Sequence, residues 1–186
     1  MEKPRVEVVI DGELSPFEHE TLHRILRKSF QVEKASYRET VDEGIVTRVN
    51  LTFYHPFDRS FFTEILRDNW RGLKDLLRQI RYRRGKAGSS FKLAFVTDNL
   101  RLSFDAGSVE ERDLASAIDQ MGHLTGIVGQ MLRPELMDTP IGLVEAFYNR
   151  TTDRWEEFRG TSKGDEVYRF DDGSFRWIPL VTRASS

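Results

Sequence analysis

Two histidines lie four residues apart in the segment HETLH, residues 19 to 23, and a glutamate follows the first of them. Residues i and i+4 share one face of a helix, so the imidazoles of His19 and His23 could bind a single zinc ion. The carboxylate of Glu20 would then take a proton from a zinc-bound water. These residue types at this spacing would support metal-assisted hydrolysis.

The residues around the motif argue against that chemistry. The pattern is similar to the zinc-binding motif of a large class of metallopeptidases, in which uncharged residues flank the motif and several strands precede it. Here the charged residues Glu18 and Arg24 flank it, and only one strand is predicted before it. Pro16 also places His19 in the first helical turn, where a helix is least rigid.

A zinc site of this kind also needs a third protein ligand. The nearest match is Glu64, followed by Asp68 four residues later, but nothing in the sequence directs Glu64 towards His19. On a helical wheel His19 lies within the apolar face of its helix and His23 at the margin. We therefore predict two histidines at the border of the core, and we assign no catalytic residue, metal ligand or cofactor. A small zinc-dependent hydrolase is the second alternative function.

Basic residues and a tyrosine cluster near residue 80, in the segment RQIRYRRGK. Dense positive charge beside an aromatic ring is suited to phosphate contacts and base stacking. The helix dipole also favours cations at the end of a helix, without any ligand. Binding of nucleic acid or a nucleotide is therefore the first alternative function. The residues that would bind are Arg78, Arg81, Tyr82, Arg83, Arg84 and Lys86.

Aromatic residues are dense between residues 147 and 177. Pairs of aromatic side chains across neighbouring strands stabilise a small antiparallel sheet, which is a structural role. If one aromatic face were only partly covered, Tyr168 and Trp177 would suit a protein interface, because tyrosine and tryptophan are enriched there. We take these two residues as candidate contacts with a protein partner.

The composition narrows the classes of function. The chain has 186 residues, no cysteine and a net charge of -2. This near-neutral charge provides no general attraction to nucleic acid or to an anionic membrane, and the lack of cysteine excludes disulfides and thiol chemistry. No apolar run reaches the roughly 18 residues of a membrane span. We therefore expect a soluble cytoplasmic protein without membrane contact.

The order of predicted elements indicates an α+β fold. A strand over residues 5 to 12 precedes a helix that begins at Pro16, and a hairpin spans residues 35 to 55. A long helix follows from residue 58 to about residue 83, and a second hairpin spans residues 90 to 104. The first six elements match the split βαβ order of ferredoxin-like domains. We predict this two-layer sandwich, extended by an extra strand and a third helix.

The C-terminal part is predicted as a short helix followed by a small β-meander. Residues 139 to 149 favour a helix because Pro140 follows a threonine that can cap it. Residues 153 to 180 contain three strand patterns, and a tight turn at residues 172 and 173 would pair Phe170 with Phe175 and Tyr168 with Trp177. We divide the chain into a core domain, residues 1 to 135, an extension packed on it, residues 136 to 180, and a tail, residues 181 to 186.

Element order alone implies no activity. The leading hypothesis is a non-catalytic accessory module that binds a protein partner through its sheet or its aromatic C-terminal extension.

Overall fold

The computed structural model describes residues 2 to 35, 47 to 84, 89 to 107 and 111 to 180. The strands in these ranges are β1 (Arg5–Gly12), β2 (Gln31–Lys34), β3 (Thr47–Phe53), β4 (Ser89–Val96), β5 (Arg101–Gly107), β6 (Ile141–Asn149), β7 (Arg154–Ser162), β8 (Val167–Asp171) and β9 (Arg176–Pro179). The α-helices are α1 (Pro16–Ser29), α2 (Asn69–Arg84) and α3 (Glu111–Met131). A π-helical turn, Phe61–Leu66, precedes α2, and a short 3-10 helix, Pro134–Leu136, follows α3.

All of these strands belong to one sheet, in the order β2-β1-β3-β4-β5-β6-β7-β8-β9. Each α-helix connects two strands that are direct parallel neighbours, namely β1 with β2, β3 with β4, and β5 with β6. The other neighbouring pairs are antiparallel. The predicted α+β class is confirmed, with a larger sheet than the sequence predicted.

The three α-helices cover one face of this sheet. Helix α1 packs against α2, and α2 packs against α3. Two tryptophans from the C-terminal strands reach the same layer, because the indole of Trp155 donates to the carbonyl of Ala117 at 2.7 Å and that of Trp177 to the carbonyl of Met131 at 2.9 Å. One hydrophobic cluster extends across the sheet from Val6 on β1 to Trp177 on β9. The opposite face, hereafter the open face, is covered by none of the described elements.

The third crossover has the opposite hand to the first two. Strands β1 and β3 are antiparallel. The crossover from β1 leads to β2, towards one edge of the sheet, and the crossover from β3 leads to β4, towards the other edge. These two crossovers therefore have the same hand. Strand β5 runs in the same direction as β1, but the crossover from β5 leads to β6, which lies towards the opposite edge of the sheet from β2. Because all the helices lie on one face, the β5-α3-β6 crossover differs in hand. Right-handed crossovers account for about 98% of cases, so this topology breaks the usual rule.

The ferredoxin-like arrangement is not confirmed. In a split βαβ unit another strand lies between the two strands that one helix connects, whereas here those strands are adjacent and parallel. The strand after α1 is formed by residues 31 to 34, for which no strand was predicted. The first strand of the predicted hairpin falls mostly on residues 36 to 46, which lie outside the described residues. The second predicted hairpin is confirmed as β4 and β5.

Two helix predictions were wrong in detail. The long helix predicted from residue 58 is interrupted, because the π-helical turn closes with the N–H of Arg67 donating to the carbonyl of Phe62 at 3.2 Å, and α2 starts only at Asn69. The predicted fourth helix is strand β6. Its alternate residues Val144 and Ala146 face the core, and it pairs with strands on both sides. These long-range pairings outweigh the local helix signal of Pro140.

The meander is confirmed as β7, β8 and β9, but its predicted side-chain pairing is wrong. Phe170 pairs with Trp177, and Tyr168 pairs with Pro179. The turn is longer than predicted, since the ladder closes at Asp171 and the next strand starts at residue 176. Phe175 adopts a left-handed backbone with φ of 53° at the end of this turn. The three strands continue the main sheet through β6. None of the described helices is long and apolar enough to cross a membrane.

Candidate functional site

The two histidines of the HETLH segment lie on helix α1. Ser15 caps this helix through a capping box, in which its hydroxyl accepts from the N–H of Glu18 at 3.2 Å and the Glu18 carboxylate accepts from the N–H of Ser15 at 2.9 Å. The rings of His19 and His23 lie 4.5 Å apart between centroids, at an interplanar angle of 45°. His23 is 5% exposed and His19 is half-buried. The spacing therefore brings both imidazoles together, as the helical pattern predicts.

The surroundings of these histidines differ from a zinc site of the expected kind. Glu64, the predicted third ligand, is exposed on the π-helical turn and does not line the cleft at His19 and His23. Among the described residues, no group of three or more histidine and carboxylate side chains could hold a metal ion. Glu20 is the one carboxylate among the described residues that line the cleft. The geometry gives the hydrolase alternative no support.

His23 is poorly solvated and lies in a positive environment. Neither of its ring nitrogens has a hydrogen-bond partner within the described parts of the chain. Burial, followed by the charges of His19, Lys34 and Arg27, lowers the pKa of His23 below its usual value. Both causes act in the same direction, since they disfavour the imidazolium form. His23 is therefore neutral at physiological pH and its hydrogen-bonding capacity is unused.

The two arginines at the end of α2 bind Glu18 within the chain. Glu18 is fully buried, and its carboxylate accepts from both terminal nitrogens of Arg84, Nη1 at 3.1 Å and Nη2 at 2.9 Å. Arg84 also donates to the carbonyl of Glu13 at 2.6 Å and to the hydroxyl of Thr47 at 3.0 Å. Arg83 reaches the same carboxylate at 3.3 Å, with its side chain half exposed. The contacts of Arg84 hold the start of α1, the start of β3 and the end of α2 together.

The remaining predicted residues of the arginine cluster have different surroundings. Arg81 is 3% exposed, so its guanidinium is enclosed by the fold. Arg78 lies 3.9 Å from the carboxylate of Asp75 on the same helix. Tyr82 is 75% exposed, and Lys86 lies outside the described residues. Arg81 is thus enclosed, whereas the ring of Tyr82 is exposed to solvent.

The two aromatic residues predicted as partner contacts are buried. Tyr168 is 8% exposed, and its hydroxyl donates to the carboxylate of Glu166 at 2.8 Å. Trp177 is 6% exposed and packs edge-on against Phe170, at 5.3 Å between ring centroids. Both rings pack on the helical side of the sheet and contribute to the core.

A different set of residues of the same strands faces outward. Arg159 on β7 and Arg169 on β8 are direct cross-strand partners on the open face, and both are exposed. Arg159 lies 5.4 Å from the ring centroid of Phe147 on β6 and 3.3 Å from the carboxylate of Glu157. Ile178 on β9, the partner of Arg169, is 40% exposed. The strands thus present two neighbouring guanidinium groups beside apolar side chains, with the carboxylates of Glu157 and of Glu145, the β6 partner of Arg159, on one side of the pair.

The sequence contained a signal for this surface. In the segment VYRFD the residues alternate, so once Tyr168 and Phe170 are assigned to the core, Val167 and Arg169 must face the other way. The cross-strand position of Arg159 depends on the register shifts between β6 and β7 and could not be read from the sequence. The chain matches no known protein-family model, no curated protein and no solved structure. Any function must therefore be inferred from geometry.

Proposed function

We propose that the chain is a non-catalytic binding module that holds an acidic segment of a protein partner on the open face of β6 to β9. The observation that carries this proposal is the direct pairing of Arg159 with Arg169 on that face. Like charges directly opposite each other on a sheet are destabilising. A partner that places carboxylates between them would remove this repulsion and form charge-assisted hydrogen bonds with both guanidinium groups.

The neighbouring side chains suit a protein better than a small anion. Val167 is 41% exposed and Ile178 is 40% exposed, and each lies beside one of the arginines in the sheet. Phe147 adds an aromatic ring to which the guanidinium of Arg159 is already close. Exposed apolar groups next to arginines are typical of protein interfaces, in which arginine and aromatic residues are enriched. The fitting partner therefore has acidic residues interspersed with apolar ones.

The arginine cluster at the end of α2 supports no second proposal. Arg83 and Arg84 bind the buried carboxylate of Glu18, and Arg81 is enclosed in the fold. A nucleic acid would have to compete with Glu18 for two of the predicted contact residues.

A peptide-binding measurement tests the proposal. We would record the fluorescence anisotropy of a labelled peptide in which glutamate alternates with leucine, and of the same peptide with lysine in place of glutamate. We expect saturable binding of the glutamate peptide, which weakens with salt because exposed charges are screened. The Arg159→Gln, Arg169→Gln double variant should weaken binding at least about tenfold, since charge-assisted hydrogen bonds are lost.

The matched control is the Arg133→Gln, Arg150→Gln double variant. Both of these arginines are exposed and lie in connections, not on the open face, and the change in net charge is identical. This control should bind the glutamate peptide as the unmodified chain does. Equal weakening by both double variants would mean that net charge drives the binding, and equal binding of the lysine peptide would mean that no acidic partner is selected. Either result refutes the proposal.

A further inference from the structure

A second feature of the molecule lies away from the open face, at the C-terminal half of α1. A cleft of about 540 Å³ lies between this helix and the end of β2. Its lining residues are His19, Glu20, His23, Arg24, Arg27, Lys28 and Lys34. A cleft of this size fits a small molecule, since ligand pockets have volumes of roughly 300 to 1,000 Å³.

The charge of the cleft is strongly unbalanced. Arg24, Arg27, Lys28 and Lys34 are cationic at neutral pH, whereas Glu20 is the one carboxylate among the described lining residues. The chain as a whole has a net charge of -2, so this concentration of positive charge is local. Cations grouped around a concave surface raise the local concentration of anions. A dianion or a more highly charged ion would be held better than a single carboxylate.

His23 provides the second, independent observation. It lines the cleft, it is 5% exposed, and both of its ring nitrogens lack a hydrogen-bond partner in the ranges that the structure describes. Buried polar groups in proteins nearly always have a partner, so an imidazole with none requires an explanation. Both nitrogens have almost no accessible surface, so an anion in the cleft would act on the ring through its charge.

We propose that this cleft, lined by His19, His23, Arg24, Arg27, Lys28 and Lys34, binds a small phosphorylated molecule. A phosphate group carries up to two charges and several acceptor oxygens, which match cations on α1 and on β2 from two sides. The arginines provide forked donors, and the half-buried imidazole of His19 lies next to that of His23 and lines the cleft. The cleft is separate from the open face, so this site does not depend on the proposed protein partner.

Binding is expected to depend on pH through His23. The charged or titratable groups that face it are His19 and Arg27 on its own helix and Lys34 on β2, and all of them oppose its protonation. A bound anion would offset these charges and raise the pKa of His23. Affinity should therefore increase as the pH falls through the range in which imidazoles titrate, near 6.5.

Calorimetric titration with pyrophosphate, together with amide NMR shifts, tests the site. The dependence of affinity on pH is measured with sulfate, because the charge of sulfate stays constant between pH 5 and 8. We expect pyrophosphate to bind at one site at low ionic strength and to shift the amides of residues 19 to 34. Sulfate should bind about tenfold more tightly near pH 5.5 than near pH 8, if the bound anion favours the imidazolium form of His23 by that factor.

Matched variants separate this site from general electrostatic attraction. The Arg27→Gln, Lys34→Gln double variant, in which both side chains are exposed, should weaken pyrophosphate binding at least about tenfold. Glu20→Gln should strengthen it, because it removes the carboxylate from the lining. The Arg133→Gln, Arg150→Gln variant should bind as the unmodified chain does.

Three results would overturn the proposal. The first is the absence of saturable pyrophosphate binding, and the second is equal loss of binding in the control variant. The third is binding of a single-stranded oligonucleotide whose affinity grows with its length and depends on Arg27 and Lys34, since this would assign the cleft to nucleic acid. The Arg159→Gln, Arg169→Gln variant should retain pyrophosphate binding, so failure of the peptide-binding function leaves this test intact.

Discussion

Glu18 and Arg84 form a two-point ion pair, with oxygen to nitrogen distances of 3.1 and 2.9 Å, in which the carboxylate is fully buried. The same carboxylate completes the capping box of α1 by accepting from Ser15. One side chain therefore fixes the start of α1 and the end of α2. Because a buried carboxylate is unfavourable without partners, the arginine is required at this position.

Loss of the arginine should destabilise the fold strongly. Arg84→Gln leaves the carboxylate of Glu18 without its main partner, so we expect the free energy of unfolding to fall by about 3 kcal/mol. Denaturant titration followed by circular dichroism measures this change. Adding Glu18→Gln to Arg84→Gln should restore part of the loss, because the uncompensated charge is removed.

Arg83→Gln is the matched control, because Arg83 contacts the same carboxylate from a half-exposed position. Exposed ion pairs contribute below about 1 kcal/mol, so this variant should stay close to the unmodified chain. If Arg83→Gln and Arg84→Gln have equal effects, the buried pair does not hold the two helix ends together.

The stability should also depend on pH through Glu18. Burial raises the pKa of this carboxyl, but the hydrogen bond from Arg84, the N–H of Ser15 and the charge of Arg84 together outweigh burial and leave the pKa below its usual value. The unfolded chain then binds the proton more readily than the folded one. This contribution is present above the ordinary pKa of 4.5 and is lost as the pH falls through the lower folded pKa.

We expect the free energy of unfolding of the unmodified chain to decrease below about pH 4.5, and that of Glu18→Gln to decrease less. Urea denaturation at several pH values between 3 and 7 measures both. Parallel curves for the two proteins would contradict the assignment, since they would show that Glu18 has the same pKa in the folded and unfolded chains.

Local patterns predicted the elements that depend on neighbouring residues. The cap at Ser15, the hairpin of β4 and β5 and the three strands of the meander all follow from such signals. The strand β6 was missed because its local signals, a threonine followed by Pro140, favour a helix, whereas its pairing with β5 and β7 depends on distant residues. The difference in hand between the crossovers could not be predicted either, because the handedness rule predicts the same hand for all three.

For the candidate site residues too, contacts within one helix could be predicted and contacts between distant residues could not. Helical spacing correctly placed His19 beside His23, because that contact lies within one helix. The partner of Arg84 is a carboxylate 66 residues away, and no local pattern links the two. A run of arginines at a helix end therefore resembles a phosphate-binding surface, while the fold uses two of them to compensate a buried charge.

Close packing above Gly160 leads to a prediction on stability. A Cβ atom at this position would lie 2.8 Å from Cδ1 of Ile141 and 2.9 Å from Cζ3 of Trp177, which is closer than carbon atoms approach. Gly160→Ala should therefore lower the free energy of unfolding by about 1 to 3 kcal/mol, through overpacking. In contrast, a methyl group on Gly126 of α3 would meet no atom of the described residues within 4 Å, apart from its chain neighbours and the nearby backbone of its own helix, and Gly126→Ala should raise stability by up to about 1 kcal/mol. Thermal unfolding of both variants provides the comparison, and a neutral Gly160→Ala would contradict the packing.

The end of the π-helical turn contains a strained residue. Arg67 has φ of 44° and ψ of -127°, a backbone conformation that L-residues with side chains rarely adopt. Its side chain is exposed, so replacement by glycine removes strain without removing a buried contact. Arg67→Gly should raise the free energy of unfolding by about 1 kcal/mol, while the control Arg71→Gly, within α2, should lower it by a similar amount. A loss of stability in Arg67→Gly, measured by denaturant titration, would show that the conformation is not strained.

The paired arginines of the open face should reduce stability in the absence of a partner. Arg159 and Arg169 are directly opposite on neighbouring strands, so they repel each other when the face is empty, although Glu157 and Glu145 beside Arg159 offset part of this repulsion. Replacing Arg169 with threonine removes one charge and introduces a residue favoured in strands, and we expect the free energy of unfolding to rise by about 0.5 kcal/mol at low salt. The gain should shrink as salt screens the repulsion, and the same variant should bind the glutamate peptide more weakly. Arg176→Thr on β9 is the control, because it pairs with Asp171 and should not gain stability. If Arg169→Thr were destabilising at every salt concentration, the two guanidinium groups would not repel each other, and the argument for an acidic partner would lose its basis.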